Sequence, residues 1–322
     1  MEPSPGERLL ETTTDRPWWR PLVVIAPHEY IVGVYLLLLA VSVSAGAPSP
    51  QRTRIIVVLV ASMLALLASA LVLRMVRQPG LLIRWLRRFA VIPFVMVAYG
   101  YLGAIVPLAT PAQMDLPLLQ LDLLLFRVEP ALAWESWNSL ILIEWLSGWY
   151  SSYWLFVAAF PLAQVFCPVD ARRAARFAVS ILAITCIGHL LYILVPGVGP
   201  VYALKDRFAG PLPGGPIHAL MMRVAQNGAQ LDIFPSLHTA HMLFFALFCW
   251  RERESRVYRF LRWPVTIAAA HVIAATIVLR WHYLIDVVAG ALLAYLCFKL
   301  PHYLNPWWER RRTAAGLPDR WW

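Results

Sequence analysis

The chain has 322 residues, of which 60% are hydrophobic and only 14% are charged, and its formal net charge is +10. A soluble domain this apolar could not cover its surface with polar groups, so the composition predicts an integral membrane protein. The positive charge does not indicate nucleic-acid binding, because the arginines lie between apolar runs. That placement fits membrane topology and contact with anionic lipid head groups.

Eight apolar runs follow a polar N-terminal segment, residues 1–27, which is predicted to be a cytoplasmic tail. A membrane-spanning helix needs about 20 mostly apolar residues, so the runs predict an all-α, polytopic transmembrane helical bundle with about eight spans. The runs cover residues 30–47, 54–76, 89–109, 140–166, 174–196, 236–250, 263–281 and 283–300. The first three fall in an N-terminal transmembrane region, residues 28–109.

The remaining boundaries follow from the connections between these runs. Residues 110–139 mix leucines with four carboxylates, which predicts a short amphipathic helix lying on the membrane surface. Residues 140–301 form the predicted catalytic core. Within it, the loop 197–235 is rich in Gly and Pro and too polar to cross lipid, and loops of this length are usually functional. Residues 302–322 are predicted to be a basic C-terminal tail.

The basic residues predict the orientation of the bundle. With eight spans, the termini lie on one side, and that side would hold 21 of the 28 Lys and Arg residues, against 7 on the other. This asymmetry predicts cytoplasmic termini in a plasma membrane, which the arginine-rich composition indicates to be bacterial. The 197–235 loop and any site beside it then lie on the outer face.

Two histidines follow a serine at the start of the sixth run, in the stretch "IFPSLHTAHMLFF". A buried polar group without a partner costs about 1–3 kcal/mol, so His238 and His241 need either hidden partners or a chemical role. His238 lies near free N–H groups of a helix N-terminus, which favour an anion. His241 is one turn further on and is expected to support the site.

A third histidine occurs in "LRWHYLIDVVAG". His282 and Asp286 are spaced i, i+4, so they share one helix face and can form a hydrogen bond. A carboxylate on one imidazole nitrogen fixes the tautomer and makes the other nitrogen more basic. Ser236, Arg280, Lys205 and Arg207 are the nearest polar and basic residues on that side, and they predict a phosphate-binding site. No metal ligand set and no cofactor are expected.

"FPSLHTAH", followed about 40 residues later by "HYLID", resembles the phosphatidic acid phosphatase type 2 superfamily, with its P-S-x-H and H-x-x-x-D motifs. The similarity covers residues 115–300 and implies a six-helix phosphatase-type core behind two N-terminal helices. It implies a metal-independent enzyme with a phosphohistidine intermediate. His282 would be the nucleophile, Asp286 its orienting partner and His238 the acid on the leaving oxygen.

The pattern is most similar to the branch that contains inositol phosphorylceramide synthase and sphingomyelin synthase. That branch has H-Y-x-x-D, so Tyr283 is expected to support the site. The phosphatase branch's upstream K-x6-R-P motif is missing, and Ala275 and Thr276 replace the Ser-Arg pair expected before the second histidine. Phosphate contacts therefore cannot be transferred for those positions.

The sequence thus predicts a membrane lipid phosphatase or a phospho-head-group transferase, with sphingolipids among the expected substrates and water or a lipid or polyol hydroxyl as acceptor. Two alternatives stay open. A transporter or flippase could use the histidines as a proton relay, although the ionisable residues cluster at one face and no repeated halves are evident. An inactive structural homologue would not need the complete His–His–Asp set.

Overall fold

The computed structural model describes residues 20–76, 79–167, 170–225 and 228–317. Within these ranges the chain forms thirteen α-helices, three short 3-10 helices and no β-strand. The predicted tail residues 1–19 and 318–322 lie outside the described residues. The helices are α1 (Pro27–Ser44), α2 (Pro50–Met75), α3 (Leu81–Phe89), α4 (Ile92–Ala109), α5 (Asp115–Phe126), α6 (Pro130–Ala133), α7 (Leu140–Phe166), α8 (Ala171–Leu194), α9 (Pro200–Ala203), α10 (Pro216–Ala225), α11 (Leu237–Arg251), α12 (Arg256–Val278) and α13 (Leu284–Ala314).

The predicted all-α membrane bundle is confirmed, and each of the eight apolar runs overlaps a helix. Six segments are long and apolar enough to cross a membrane: α1, α2, α3 with α4, α8, α12 and α13. The other two runs became α7, which carries Trp, Tyr and Ser among its apolar residues, and α11, which has only 15 residues. At 1.5 Å per residue α11 is about 22 Å long, shorter than the roughly 30 Å hydrocarbon core of a bilayer.

Helix α11 lies at the centre of the bundle. It packs against α8, α12 and α13, and its side chains are buried around most of the helix, including Phe244, Phe245 and Phe248. A helix that is apolar on all sides is stable only when other helices surround it. Leu237, in its first turn, packs against Gly188 of α8, six residues before α8 ends at Leu194. The start of α11 therefore lies about 9 Å below the end of α8.

The C-terminal helix is longer than predicted. Helix α13 continues to Ala314, so the first part of the predicted tail 302–322 is helical. Two side chains attach this extension to the N-terminal segment: Trp308 Nε1 donates to the Ile25 carbonyl at 3.0 Å, and Arg312 donates to the Val23 carbonyl at 2.7 Å. Tertiary contacts of this kind stabilise a helix beyond its apolar stretch.

The predicted surface segment 110–139 contains helix α5, the single turn α6 and the 3-10 turn Glu135–Trp137. Helix α5 packs against the start of α13. The ends of the 197–235 loop also meet, because Gly197 and Asp232 form an isolated parallel bridge. These two connections therefore cover the end of the bundle at which α11 and α13 begin.

The start of α11 and the first turns of α13 approach closely. The Ser236 N–H donates to the Asp286 carbonyl at 3.0 Å, and a Cβ atom added to Gly290 would collide with the Ser236 carbonyl. Gly290 therefore allows the backbones to touch, and this contact fixes the distance between the two histidine motifs.

We expect Gly290→Ala to lower the free energy of unfolding by about 1–3 kcal/mol, because the new methyl group meets a backbone oxygen that cannot move independently. Gly33→Ala is the matched control, since no atom lies within 4 Å of its added Cβ and alanine favours a helix by about 0.5–1 kcal/mol. Thermal unfolding in detergent measures both variants. Equal midpoints for the two would show that the contact at Gly290 does not constrain the bundle.

Candidate active site

His238, His282 and Asp286 lie together. His238 is in the first turn of α11, where Ser236 is the N-cap and its Oγ accepts from the Thr239 N–H at 3.3 Å. The His238 and His282 rings have centroids 6.0 Å apart. His282 Nδ1 lies 3.4 Å from Asp286 Oδ2, and both of these side chains are buried. The structure therefore brings all three predicted catalytic side chains into one place.

The short linker between α12 and α13 positions His282. The Trp281 and His282 N–H groups both donate to the Thr276 carbonyl, and the Arg280 N–H donates to the Ile277 carbonyl. This is the Schellman pattern that ends many helices, and Arg280 has the left-handed conformation that it requires, with φ of 65°. Glycine is the usual residue in this conformation, so Arg280 adopts a backbone conformation that residues with a side chain disfavour.

Aromatic rings hold His238 in place. Tyr150 stacks on it with centroids 4.4 Å apart, the Tyr153 ring centroid lies 4.1 Å away, and Trp281 in turn stacks on Tyr150. His238 Nε2 is buried and has no hydrogen-bond partner. A buried polar atom left without a partner at a fixed position is a candidate contact for a ligand.

The two predicted supporting residues are fully engaged. His241 Nδ1 lies 2.8 Å from the Tyr153 hydroxyl and its Nε2 lies 3.0 Å from Thr185 Oγ1. Tyr283 is buried and donates its hydroxyl to Asp115 at 3.2 Å. Neither side chain has a free polar atom to offer a substrate, so their contacts fix neighbouring groups.

A cavity of about 690 Å³ opens at the two histidines and runs down inside the bundle. Its walls come from α4, α7, α8 and α10, and it ends near Arg88 and Gln164 at the opposite end of α7. Helix α4 packs mainly on α1, α2 and α8, whereas α7 packs mainly on α10 and α12, so the cavity lies between two helices whose main neighbours differ. Most of its lining is apolar.

The residues predicted to bind phosphate do not line this cavity. Ser236 is buried in its N-cap, and Lys205 and Arg207 are exposed. Arg280 forms an ion pair with Glu135 at 2.9 Å, donates to the Gly210 carbonyl and stacks on Phe208 at 3.6 Å. These contacts give Arg280 a role in holding the 197–235 loop against residues 135–137.

Asp232 lies in the cavity instead, next to His282. Burial lowers the pKa of His282 to about 4, although the nearby Asp232 carboxylate and a hydrogen bond to the Ile233 backbone act in the opposite direction. Burial also raises the pKa of Asp232, against the effect of His282. Burial therefore favours the neutral form of the His282 imidazole.

Sequence reasoning missed three carboxyl groups beside the site. Asp115, Asp122 and Glu129 are spaced seven residues apart, which places the first two on one face of α5, and all three are buried. Asp115 accepts from the Val198 and Gly199 N–H groups at 3.0 and 2.9 Å. Their regular spacing within a leucine-rich segment was the available signal.

A sequence model of the PAP2 superfamily matches residues 116–300, more than half of the chain. The chain belongs to the PAP2 superfamily. The matched region contains both histidine motifs, Asp122 and Glu129, and it begins one residue after Asp115. Among curated proteins and solved structures, none matches the chain. Across the described residues, no three His, Cys, Asp or Glu side chains are grouped so as to hold a metal ion.

The Arg280–Glu135 pair predicts a double-mutant cycle. Arg280→Ala and Glu135→Ala should each destabilise the protein, and the double variant should be less destabilised than their sum by about 1 kcal/mol, because either change removes the same contact. Thermal unfolding and the KM for a lipid substrate measure the cycle. A rise in KM for Arg280→Ala alone, with additive stabilities, would instead assign this guanidinium to phosphate binding.

Proposed function

We propose that this PAP2 superfamily protein is a lipid phosphotransferase or phosphatase that forms a phosphohistidine on His282. One observation carries the proposal. A buried histidine paired with Asp286 faces a second histidine with an unpartnered nitrogen, at the mouth of an apolar cavity. A centroid separation of 6.0 Å is close enough for both rings to contact one phosphoryl group.

In the first step, Nε2 of His282 attacks phosphorus and the bond to the leaving oxygen breaks. Asp286 accepts a hydrogen bond from the Nδ1–H of His282, which keeps the lone pair on Nε2 and stabilises the positive charge that forms on the ring. His238 enters this step as an imidazolium, its charge facing the phosphoryl group, and gives that proton to the leaving alkoxide, so that the released alcohol and His238 are both neutral afterwards. His238 then takes a proton from the acceptor hydroxyl, whose oxygen attacks phosphorus and restores His282.

The lipid is held by the cavity. Its acyl or related chains would lie along the apolar lining, and the gap between α4 and α7 offers entry from the side without leaving the bilayer. Burial of apolar chains contributes about 25 cal/mol per Å² of area removed from water. Lipid tails that enter from a bilayer are already out of water, so the cavity serves mainly to orient the lipid.

The charges around the histidines favour a phosphodiester. Among the lining residues that the structure describes, the only Lys or Arg is Arg88, which bonds to Val165, about 18 Å along α7 from Tyr153. Asp232 adds a carboxyl group beside His282. A phosphomonoester carries close to two negative charges at pH 7, whereas a diester carries one and suits this site better.

A diester substrate implies transfer of a phospho-head group to a hydroxyl, as in the inositol phosphorylceramide synthase and sphingomyelin synthase branch that the H-Y-L-I-D motif resembles. Water as acceptor would give hydrolysis at the same site. The asymmetry of basic residues supports cytoplasmic termini and a site on the outer face of a bacterial plasma membrane, with anionic lipid head groups around the arginines.

The roles of the three side chains predict different losses. His282→Ala should abolish turnover and the covalent intermediate. Asp286→Asn should reduce kcat by about 10⁴-fold, the scale known for the equivalent tautomer error in a serine triad. His238→Ala should cost about 10²–10⁴-fold, and less for substrates with good leaving groups, because those need little protonation.

Trapping the phosphoenzyme at low temperature and digesting it with protease shows which histidine is the nucleophile. Label on the peptide 280–286 is expected. Label on the peptide 233–245 would make His238 the nucleophile, and unlabelled peptides with full activity would favour direct attack by the acceptor.

The charge argument predicts that kcat/KM for a lipid phosphodiester exceeds that for the monoester with the same chains by at least about 10-fold. Asp232→Asn should lower this ratio of kcat/KM values by raising the turnover of the monoester, since it removes the carboxylate that repels the second phosphate charge. Mass spectrometry of products from matched lipid pairs measures both numbers. Faster turnover of the monoester by the wild-type protein would favour a phosphatase.

A further inference from the structure

The N-terminus of α13 is capped by a side chain from another helix. Asp122 of α5 is fully buried, and its two oxygens accept from the Leu284 and Ile285 N–H groups at 2.7 and 2.8 Å. Tyr283 occupies the N-cap position and forms no side-chain cap. First-turn N–H groups have no partner within their own helix, so Asp122 satisfies donors that the motif cannot satisfy itself.

The capped turn is the one that carries Asp286. The Asp286 carboxylate accepts from the Tyr283 N–H at 2.9 Å and, with the same oxygen, faces His282 Nδ1 at 3.4 Å. A small rotation of this turn would move that oxygen relative to the imidazole. Displacements of about 1 Å in a reacting group can cost about 10²-fold in rate.

Glu129 forms a second layer behind Asp122. It is buried, its Oε1 accepts from the Ala131 N–H at 3.1 Å, its Oε2 is buried without a further hydrogen-bond partner, and Asp122 is the carboxyl group that acts on it most strongly. Two neighbouring buried carboxyl groups repel each other when both are ionised, which favours a proton on one of them. Because Asp122 already accepts two N–H bonds, which favour its ionised form, the proton belongs on Glu129.

We propose that Asp122, backed by a protonated Glu129, is a positioning residue that holds the first turn of α13 and thereby aims Asp286 at His282. The proposal rests on the proposed function in one respect, namely that the His282–Asp286 pair performs chemistry. The capping contacts themselves do not depend on any substrate.

The arrangement has a defined pH dependence. Burial, followed by the neighbouring Asp122, raises the pKa of Glu129 to about 8, and the other ionisable groups facing it are Tyr283 and Asp286. The folded state therefore binds this proton more tightly than the unfolded chain does. The resulting stability is fully present below about pH 4.5 and is lost as the pH rises through about 8. Above that pH two adjacent carboxylates repel each other behind the α13 turn.

The decisive variant is Glu129→Gln, because glutamine preserves the size of the side chain but cannot ionise. The full-length protein in detergent should show activity that falls above about pH 8, and Glu129→Gln should remove that fall while keeping the activity at pH 7 within a few-fold. Asp122→Asn retains only one good acceptor and should lose about 10- to 100-fold in kcat with KM unchanged. Glu254→Gln, an exposed acid at the opposite end of the bundle, is the control and should match the wild type.

Two results would overturn the positioning role. An alkaline fall that persists unchanged in Glu129→Gln would place the titrating group elsewhere. A stability change in Asp122→Asn with kcat per folded molecule unchanged would make the residue a fold element only, because misplaced Asp286 must alter the chemistry.

A protein that turns over no lipid phosphate would refute the proposed function and leave this inference testable by hydrogen exchange. The Leu284 and Ile285 amides should lose protection above about pH 8 in the wild type beyond the intrinsic rise in exchange, and Glu129→Gln should keep it. Equal loss of protection in both proteins would show that Glu129 does not hold this turn.

Discussion

The contact between the Ser236 backbone and the first turns of α13 is the constraint on which the rest of the site depends. The N–H of Ser236 bonds to the Asp286 carbonyl, and Gly290 permits the Ser236 carbonyl to lie against the helix. Each motif contributes one histidine close to this contact, His238 two residues after Ser236 and His282 four residues before Asp286. Because the backbones touch, the separation of the His238 and His282 backbones is fixed, and the packed aromatic side chains then set the position of the His238 ring.

Polar groups in this region are supported by layers of partners, as a membrane interior requires. The Asp286 carboxylate is held by the Tyr283 N–H, the turn by Asp122, and Tyr283 itself by Asp115. On the other side, the Tyr153 hydroxyl joins His241 while its ring packs on His238. Some buried polar atoms beside the pair nevertheless have no partner, namely His238 Nε2, Asp286 Oδ1, Thr239 Oγ1 and Trp281 Nε1.

The sequence was sufficient to predict the helical bundle and that His238, His282 and Asp286 lie together, because hydropathy and the asymmetry of basic residues are visible along the chain. The helix face assumed for His282 and Asp286 was wrong, since His282 precedes α13 and only Asp286 lies in its first turn. The phosphate-site prediction relied on nearness along the chain, and side-chain direction could not be inferred in that way. Arg280 follows a helix end in the left-handed conformation, so its guanidinium points to Glu135 and not into the cavity. The seven-residue spacing of Asp115, Asp122 and Glu129 was visible, but its meaning depended on α5 packing against α13, a long-range contact.

The length of α11 has a consequence for access. Its first turn meets α8 about 9 Å below the end of that helix, so His238 lies below the level at which α8 ends. Under the proposed function, a phosphate group would have to pass below the end of α8 to reach this histidine, which favours a molecule anchored in the bilayer by hydrocarbon. Soluble phosphate esters would then be excluded by depth, and an acceptor that resides in the bilayer would have a shorter path than one arriving from water.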